Sequence, residues 1–205
     1  MYIPGTNKIT DPAEAVAFIR RFSFGTIITT QKNRPIATHL PFAVREDDSL
    51  ILTSHFARAN DHWKHLEGQE SLVIFSEPHA YISPTHYEDP ISVPTWNYLA
   101  VHAYGTVRLI TEEVELFDLL RQTIDTYEQT YGATWEKLPD EYKQRMIRGI
   151  VGFELTVTEL QGKKKLSQNK TETERANIIA TLNASDHTIE RQIAEYMQLE
   201  RIRKE

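Results

Sequence analysis

Apolar residues recur first at helical spacing and then in alternation. At Asp11-Pro12-Ala13-Glu14 a cap, a proline suited to the first helical position and a capping-box glutamate stand in order. Val16 and Ile19 then turn inward as far as about Arg21. Strand patterns follow. Phe24–Thr30 is rich in β-branched residues, and Gln31–Arg34 is a turn. Pro35–Val44 alternates, with Ile36, Thr38, Leu40, Phe42 and Val44 on one face and Ala37, His39, Pro41 and Ala43 on the other. Pro41 lacks the N–H that a central ladder needs, which predicts an edge or a bulge there. Leu50–Ser54, Ser71–Ser76 and His79–Ser83 read as further strands, and Ala59–Leu66 as a helix capped by Asn60. Leu99–Ile110 is the longest alternating run.

Helical spacing returns over Thr111–Tyr131, where Val114, Phe117, Leu120, Ile124, Tyr127 and Tyr131 form a stripe. A second helix is predicted over Pro139–Arg148 and a strand over Ile150–Leu160. Thr171–Leu182 follows a Thr171/Glu174 capping box, and Ser185–Arg203 is amphipathic along Ile189, Ile193, Tyr196 and Met197. About seven short strands with no long helices between the early ones predict antiparallel pairing in a barrel or sandwich. The fold class is mainly β with helices (α+β). The expected division is a domain over 1–170, with a helical insertion at 111–148, and a helical appendage over 171–205.

Composition narrows the chemistry. Among 205 residues there is no cysteine, which excludes disulfides, zinc–thiolate sites and thiol catalysis and fits a cytoplasmic protein. No apolar run approaches the roughly 20 residues that span a bilayer, so no membrane is expected as a partner. The opening MYIPGTNKITDP lacks the basic and apolar regions of a signal peptide. The formal net charge is -6, the middle of the chain is the most acidic part, and no long basic stripe supports direct DNA reading.

Three constellations can carry chemistry. Ser54-His55-Phe56-Ala57-Arg58-Ala59-Asn60 lies where a strand gives way to a predicted helix, and a hydroxyl, an imidazole and a guanidinium beside free N–H groups suit a phosphate monoester. The alternative is that Ser54 and Asn60 cap and Arg58 is a solvated charge. Lys163-Lys164-Lys165-Leu166-Ser167-Gln168-Asn169-Lys170 follows the last strand and can hold an anion or a polar heterocycle, or be an ordinary basic turn. Tyr81, Tyr87, Trp96, Asn97 and Tyr98, with His79, His86 and His102, can wall a planar ligand or pack a core or interface. His62 and His65 are three apart, but no HExxH pattern accompanies them, and no metal is expected.

In order along the chain, Met1-Tyr2-Ile3-Pro4, Thr38-His39-Leu40-Pro41-Phe42, His55-Phe56-Ala57-Arg58-Ala59-Asn60, Pro78-His79-Ala80-Tyr81-Ile82-Ser83-Pro84, Val93-Pro94-Thr95-Trp96-Asn97-Tyr98, Val101-His102-Ala103-Tyr104-Gly105 and Lys165-Leu166-Ser167-Gln168-Asn169 resemble the PaiB family. These are FMN-binding negative transcriptional regulators, also called protease synthase and sporulation negative regulatory proteins. The resemblance implies an FMN-binding split β-barrel, like flavin reductases and pyridoxamine-phosphate oxidases, working as a homodimer. It implies FMN contacts from Ser54, His55, Arg58 and Asn60 at the phosphate, from Lys165, Ser167 and Gln168 on a polar side, and from Thr29, His39 and Trp96 as lining. Glu77 and His86 depart from the expected Gly and Trp. The implied function is negative regulation of protease and sporulation genes. The alternative is an FMN-dependent oxidoreductase or flavin reductase, although no catalytic acid or base stands out.

Overall fold

The computed structural model describes residues 1–202. In chain order the elements are β1 (Lys8–Ile9), α1 (Pro12–Arg21), β2 (Phe24–Gln31), β3 (Arg34–Pro41), β4 (Ala43–Glu46), β5 (Leu50–Ala57), β6 (Glu70–Phe75), β7 (His79–Ile82), β8 (Thr95–Ile110), α2 (Glu113–Tyr127), α3 (Gly132–Lys137), α4 (Asp140–Arg148), β9 (Ile150–Lys165), α5 (Glu172–Asn183) and α6 (Thr188–Ile202). The chain forms two compact units. The smaller comprises Met1–Pro12, Ser76–Val101 and the chain from Gln161 on, and the larger comprises Ala13–Phe75 and His102–Leu160.

In the larger unit the strands run β3-β2-β6-β8-β9-β5-β4. β2 and β3 form a hairpin closed by Lys32 and Asn33, both at positive φ, as a two-residue turn of matching twist requires. β3 and β4 stand at opposite ends of the strand order yet are separated in the chain by Phe42 alone. The predicted single run from Pro35 to Val44 is therefore two strands. The break falls just after Pro41, where the missing N–H leaves no ladder to continue. Phe42 instead donates its N–H to the Ser23 carbonyl at 2.8 Å. The Tyr127 hydroxyl donates to the Phe42 carbonyl at 3.1 Å and stands 2.8 Å from Ser23 Oγ. Ser54 on β5 donates its hydroxyl to the Pro41 carbonyl at 2.6 Å, tying β3 to the far side of the strand order. The fully buried Phe42 ring meets Phe75 and Phe153 edge-on, at 5.5 and 6.1 Å between centroids.

The insertion between β8 and β9 packs on a seat made by a missing side chain. A Cβ at Gly152 would come within 2.9 Å of both Leu116 and Leu119, which cluster with Ile110 and Ile147. Leu116 and Leu119 are thus the fully buried residues of α2, with Phe117 and Leu120 of the predicted stripe half-buried against the same cluster, while Val114 is 73% exposed and Tyr127 48%. This corrects the predicted stripe. Its spacing is sound, but its phase is set by where Gly152 admits leucines, which spacing alone does not reveal. The helix also ends at Tyr127, before a 3-10 turn over Gln129–Tyr131.

In the smaller unit β7 pairs antiparallel with the first residues of β8, and β1 with the last residues of β9. The predicted capping box is present, with Glu174 N–H donating to Thr171 Oγ1 and Thr171 N–H to the Glu174 carboxylate. On α6 Ile193 and Met197 of the predicted stripe are fully buried and Ile189 and Tyr196 half-buried, with Ala194, outside the stripe, buried beside them, while Arg203 lies outside the described residues. β9 continues to Lys165, five residues past the predicted end, so Lys163–Lys165 belong to a strand and not a turn. Among the described residues no helix is long and apolar enough to cross a membrane.

Candidate functional site

In the larger unit the residues expected at the phosphate are bonded chiefly to one another and to the backbone. Ala59–Leu66 is not an α-helix. It holds a five-residue 3-10 turn over Asp61–His65, capped as expected by Asn60, whose Oδ1 accepts from the His62 N–H at 3.1 Å. Asn60 Nδ2 donates to Thr38 Oγ1 at 3.2 Å. The Thr38 hydroxyl lies 2.8 Å from His62 Nδ1, and that of Thr29 lies 2.8 Å from His62 Nε2. His62 is buried with its ring edge-on to Phe56 and is the hub of this cluster. Spacing pairs His62 with His65 and does not join it to Thr38 or Thr29. Thr38's place on the inward face with Ile36 and Leu40 was the available signal.

Strand alternation separates the rest. Ser54 pairs directly with Phe153 and faces the core, whereas His55 pairs with Gly152 and faces the side on which α2 sits. The two side chains therefore point to opposite faces of β5. His39 points outward from the edge strand and is exposed. Arg58 donates Nε to the Arg148 carbonyl at 2.7 Å and Nη2 to the Ile150 carbonyl at 2.8 Å, and its own N–H bonds the Gly149 carbonyl. It clamps the turn from α4 into β9, giving partners to carbonyls left over at a helix end. Arg58→Ala is expected to lower stability by about 1 kcal/mol, as fits exposed hydrogen bonds, measured as a lower urea midpoint at unchanged slope.

Burial pushes the His62 imidazole below its ordinary value of 6.5, with the charge of His65 adding to the effect. Burial lowers His55 and His102 in the same direction. For these groups the unfolded chain binds protons more readily than the folded one. Stability is then complete above about pH 6.5 and is lost as pH falls through that value toward the depressed folded one. A melting series from pH 7.5 down to 5.5 is expected to show falling midpoints, with a shallower fall in His62→Gln.

The smaller unit holds a cavity of about 650 Å³, within the range of small-molecule sites, lined among others by Tyr87, Asp89, Thr95, Lys165, Ser167 and Lys170. Its lining carries two ammonium groups against one carboxylate. Lys165 donates to Thr95 Oγ1, and the Lys170 ammonium lies 3.5 Å from the Tyr87 ring centroid. The loop after β9 is wound about the Gln168 amide, which donates to the Lys164 carbonyl at 2.7 Å and accepts from the Leu166 N–H at 2.8 Å. Ser167 stands at φ +56, a left-handed conformation uncommon for serine, held by a bond from its hydroxyl to buried Asn97 at 3.1 Å. Such a residue persists where its surroundings over-determine it, as at ligand sites. The structure thus brings Lys165, Ser167 and Gln168 together, and adds Tyr87, Asp89, Thr95 and Lys170. Trp96 does not line this cavity. It lies on the β7–β8 ribbon, 52% exposed. Of the two departures, Glu77 is exposed, and half-buried His86 uses its carbonyl to accept from Asn177 at 3.4 Å.

A phosphate monoester carries a charge of about −1.5 to −2 at neutral pH and three acceptor oxygens. Two lysines with neighbouring hydroxyls and amides match that group, and the cavity has room for a ring system. These residues therefore fit a phosphorylated planar cofactor.

Residues 1–159 match the family described as "Putative FMN-binding domain". The chain belongs to that family, and FMN is its cofactor. Over 202 residues, 97% of each chain, it is 41% identical to protease synthase and sporulation protein PAI 2 of Bacillus subtilis (strain 168), in line with the motif resemblance. It is also 30% identical over 199 residues to an uncharacterized protein of Emericella nidulans, covering 75% of this chain and 79% of that one. Among solved structures, a flavocytochrome from Azotobacter vinelandii superposes with a TM-score of 0.62 at 19% identity, covering 82% of this chain and 74% of that one. The FAD and heme binding protein of Mycobacterium smegmatis gives 0.62 at 14% identity, covering 83% and 78%. These two likenesses are of fold, and the fold is the flavin-type split β-barrel.

Proposed function

We propose that this chain is an FMN-binding negative regulator of protease synthesis and sporulation genes. The observation that carries the reading is the 41% identity, across 97% of both chains, to a protein named for protease synthesis and sporulation. FMN, when bound, supplies redox chemistry, and the protein supplies its binding, orientation and electrostatic setting. Lys165 and Lys170 are assigned to the phosphate as charge-assisted donors, with Ser167 and Gln168 holding the loop that presents them. Thr29, Ser54, Arg58 and Asn60 take a supporting part, because their polar atoms bond within the chain. Regulation is assigned to the flavin-binding chain itself rather than to a DNA-reading head, because the net charge of -6 comes with no long basic stripe.

FMN added to the flavin-free protein is expected to be taken up one to one, with a shift of its visible spectrum. Lys165→Ala and Lys170→Ala are expected to weaken uptake at least about tenfold each, as loss of a charge-assisted bond does. Arg58→Ala is expected to keep FMN affinity while melting earlier. Equal affinity in both lysine variants, with a large loss in Arg58→Ala, would move the phosphate to the end of β5. For the regulatory part, the chain is produced in Bacillus subtilis lacking its PAI 2 relative. Extracellular protease is expected to fall, and an unchanged level overturns that part.

A further inference from the structure

Thr95 and Asn97 stand two residues apart on β8, opposite Ile82 and Ala80 of β7, and so share one face of the strand. Each grips the loop that follows β9. Thr95 Oγ1 accepts from the Lys165 ammonium, and Asn97 Oδ1 accepts from the Ser167 hydroxyl at 3.1 Å. Lys165, Ser167 and Lys170 line the cavity, whereas Asn97 is wholly buried and is no part of the lining. The Asn97 amide has a fixed sense. Its Nδ2 donates to the Met197 sulfur on α6 at 3.5 Å, which leaves Oδ1 for Ser167. Turned about, the amide would set its oxygen against the thioether, and both are acceptors. The Ser167 hydroxyl therefore gives its proton to Asn97 and has none to offer a ligand.

Ser167 acts through its backbone instead. Its φ of +56 is disfavoured for a residue with a side chain and open to glycine. Its carbonyl accepts from the Lys170 N–H at 3.1 Å, closing the turn that brings Lys170 to the cavity that Lys165 also lines. Gln168 braces this loop from within, at the Lys164 carbonyl and the Leu166 N–H. Asn97 braces it from β8, at the residue whose backbone is strained. Without that bond Ser167 returns to the commoner regions of backbone space, and the turn between the two lysines opens. A phosphate monoester carries a charge near −2 and is held best by both ammonium groups at once. A flavin without a phosphate makes no such demand on the loop.

We propose that Asn97 is a positioning residue that sets the specificity of this cavity: by holding Ser167 left-handed it keeps Lys165 and Lys170 together, so that FMN is taken in preference to riboflavin, which lacks the phosphate. The inference rests on the FMN reading above and extends it to a buried residue outside the lining.

The test compares FMN with riboflavin, each titrated into the flavin-free full chain and followed by flavin emission. The unaltered protein is expected to bind FMN at least about tenfold more tightly. Asn97→Ala is expected to weaken FMN about tenfold, as when only about a tenth of the molecules hold the competent loop, and to leave riboflavin where it was. Adding Ser167→Gly to Asn97→Ala is expected to recover most of the FMN affinity, because glycine takes the left-handed turn unaided. Ser167→Ala lacks the same hydroxyl but keeps a Cβ, and is expected to lose FMN as Asn97→Ala does. Melting curves show which variants are folded. Should Asn97→Ala not fold, Ser167→Ala and Ser167→Gly decide, with the FMN preference lost in the first and largely kept in the second. An unaltered protein that binds no FMN, or binds both flavins equally, overturns the assignment of the lysines to the phosphate and this inference with it. A preference for FMN that survives undiminished in Asn97→Ala and Ser167→Ala overturns this inference alone. So does an equal loss of both flavins that Ser167→Gly does not repair, for Asn97 is then only a brace of the core.

Discussion

Phe42→Ala is expected to lower stability by about 3–5 kcal/mol, the cost of removing a buried phenyl ring together with the cavity left behind. The ring is wholly buried and meets Phe75 and Phe153 edge-on, so three aromatic groups lose packing at once. The residue also sits at the step between β3 and β4, where its backbone bonds to Ser23 and Tyr127 replace the ladder. Phe42→Leu keeps those backbone bonds and most of the volume, and is expected to cost less than half as much. Urea unfolding of the two variants, with the slope compared as well as the midpoint, checks the prediction. Equal small losses in both would mean that the ring is not a keystone of the core.

Gly105→Ala is the second large effect. A Cβ at this position would collide with the Thr156 carbonyl oxygen and lie 2.6 Å from a Leu155 methyl. The first of these is backbone of β9, which cannot turn aside as a side chain can. Relief requires β8 and β9 to move apart at this point. The expected loss is about 3 kcal/mol or more, beyond the usual cost of an extra methyl in a core. Gly5→Ala, whose added carbon meets nothing within 4 Å, is the control and is expected to leave the melting temperature unchanged. A soluble Gly105→Ala protein melting within a degree of the unaltered one would refute the close contact.

The caps at Asn60 and Thr171 stand where their chemistry puts them, and the alternating run over Leu99–Ile110 lies within the single strand β8. These are local signals, set by the residue and its near neighbours. The phase of α2 and the shortness of the turn after Asn60 depend on partners distant in the chain, Gly152 for the first and the Thr29–His62–Thr38 bonds for the second. No window of sequence contains both halves of such a contact. The candidate site divides in the same way. Lys165, Ser167 and Gln168 are adjacent in sequence and meet in one loop, but Tyr87, Asp89 and Thr95 join them only through the fold. Ser54 and His55 read as one cluster because they are consecutive, and β geometry sends them to opposite faces for the same reason.

The pairing of Lys8 with Lys163 and of Ile9 with Gly162 bears on how the molecule is made. On the ribosome the first strand emerges early and has no ladder to join until the ninth has left the exit tunnel. Contacts so far apart in sequence form late, since a long stretch of chain must be ordered before they repay it. The lysine-lined cavity draws its walls from the same three distant stretches. A nascent chain therefore has nowhere to receive this ligand until the stretch that carries Lys165 to Lys170 has emerged.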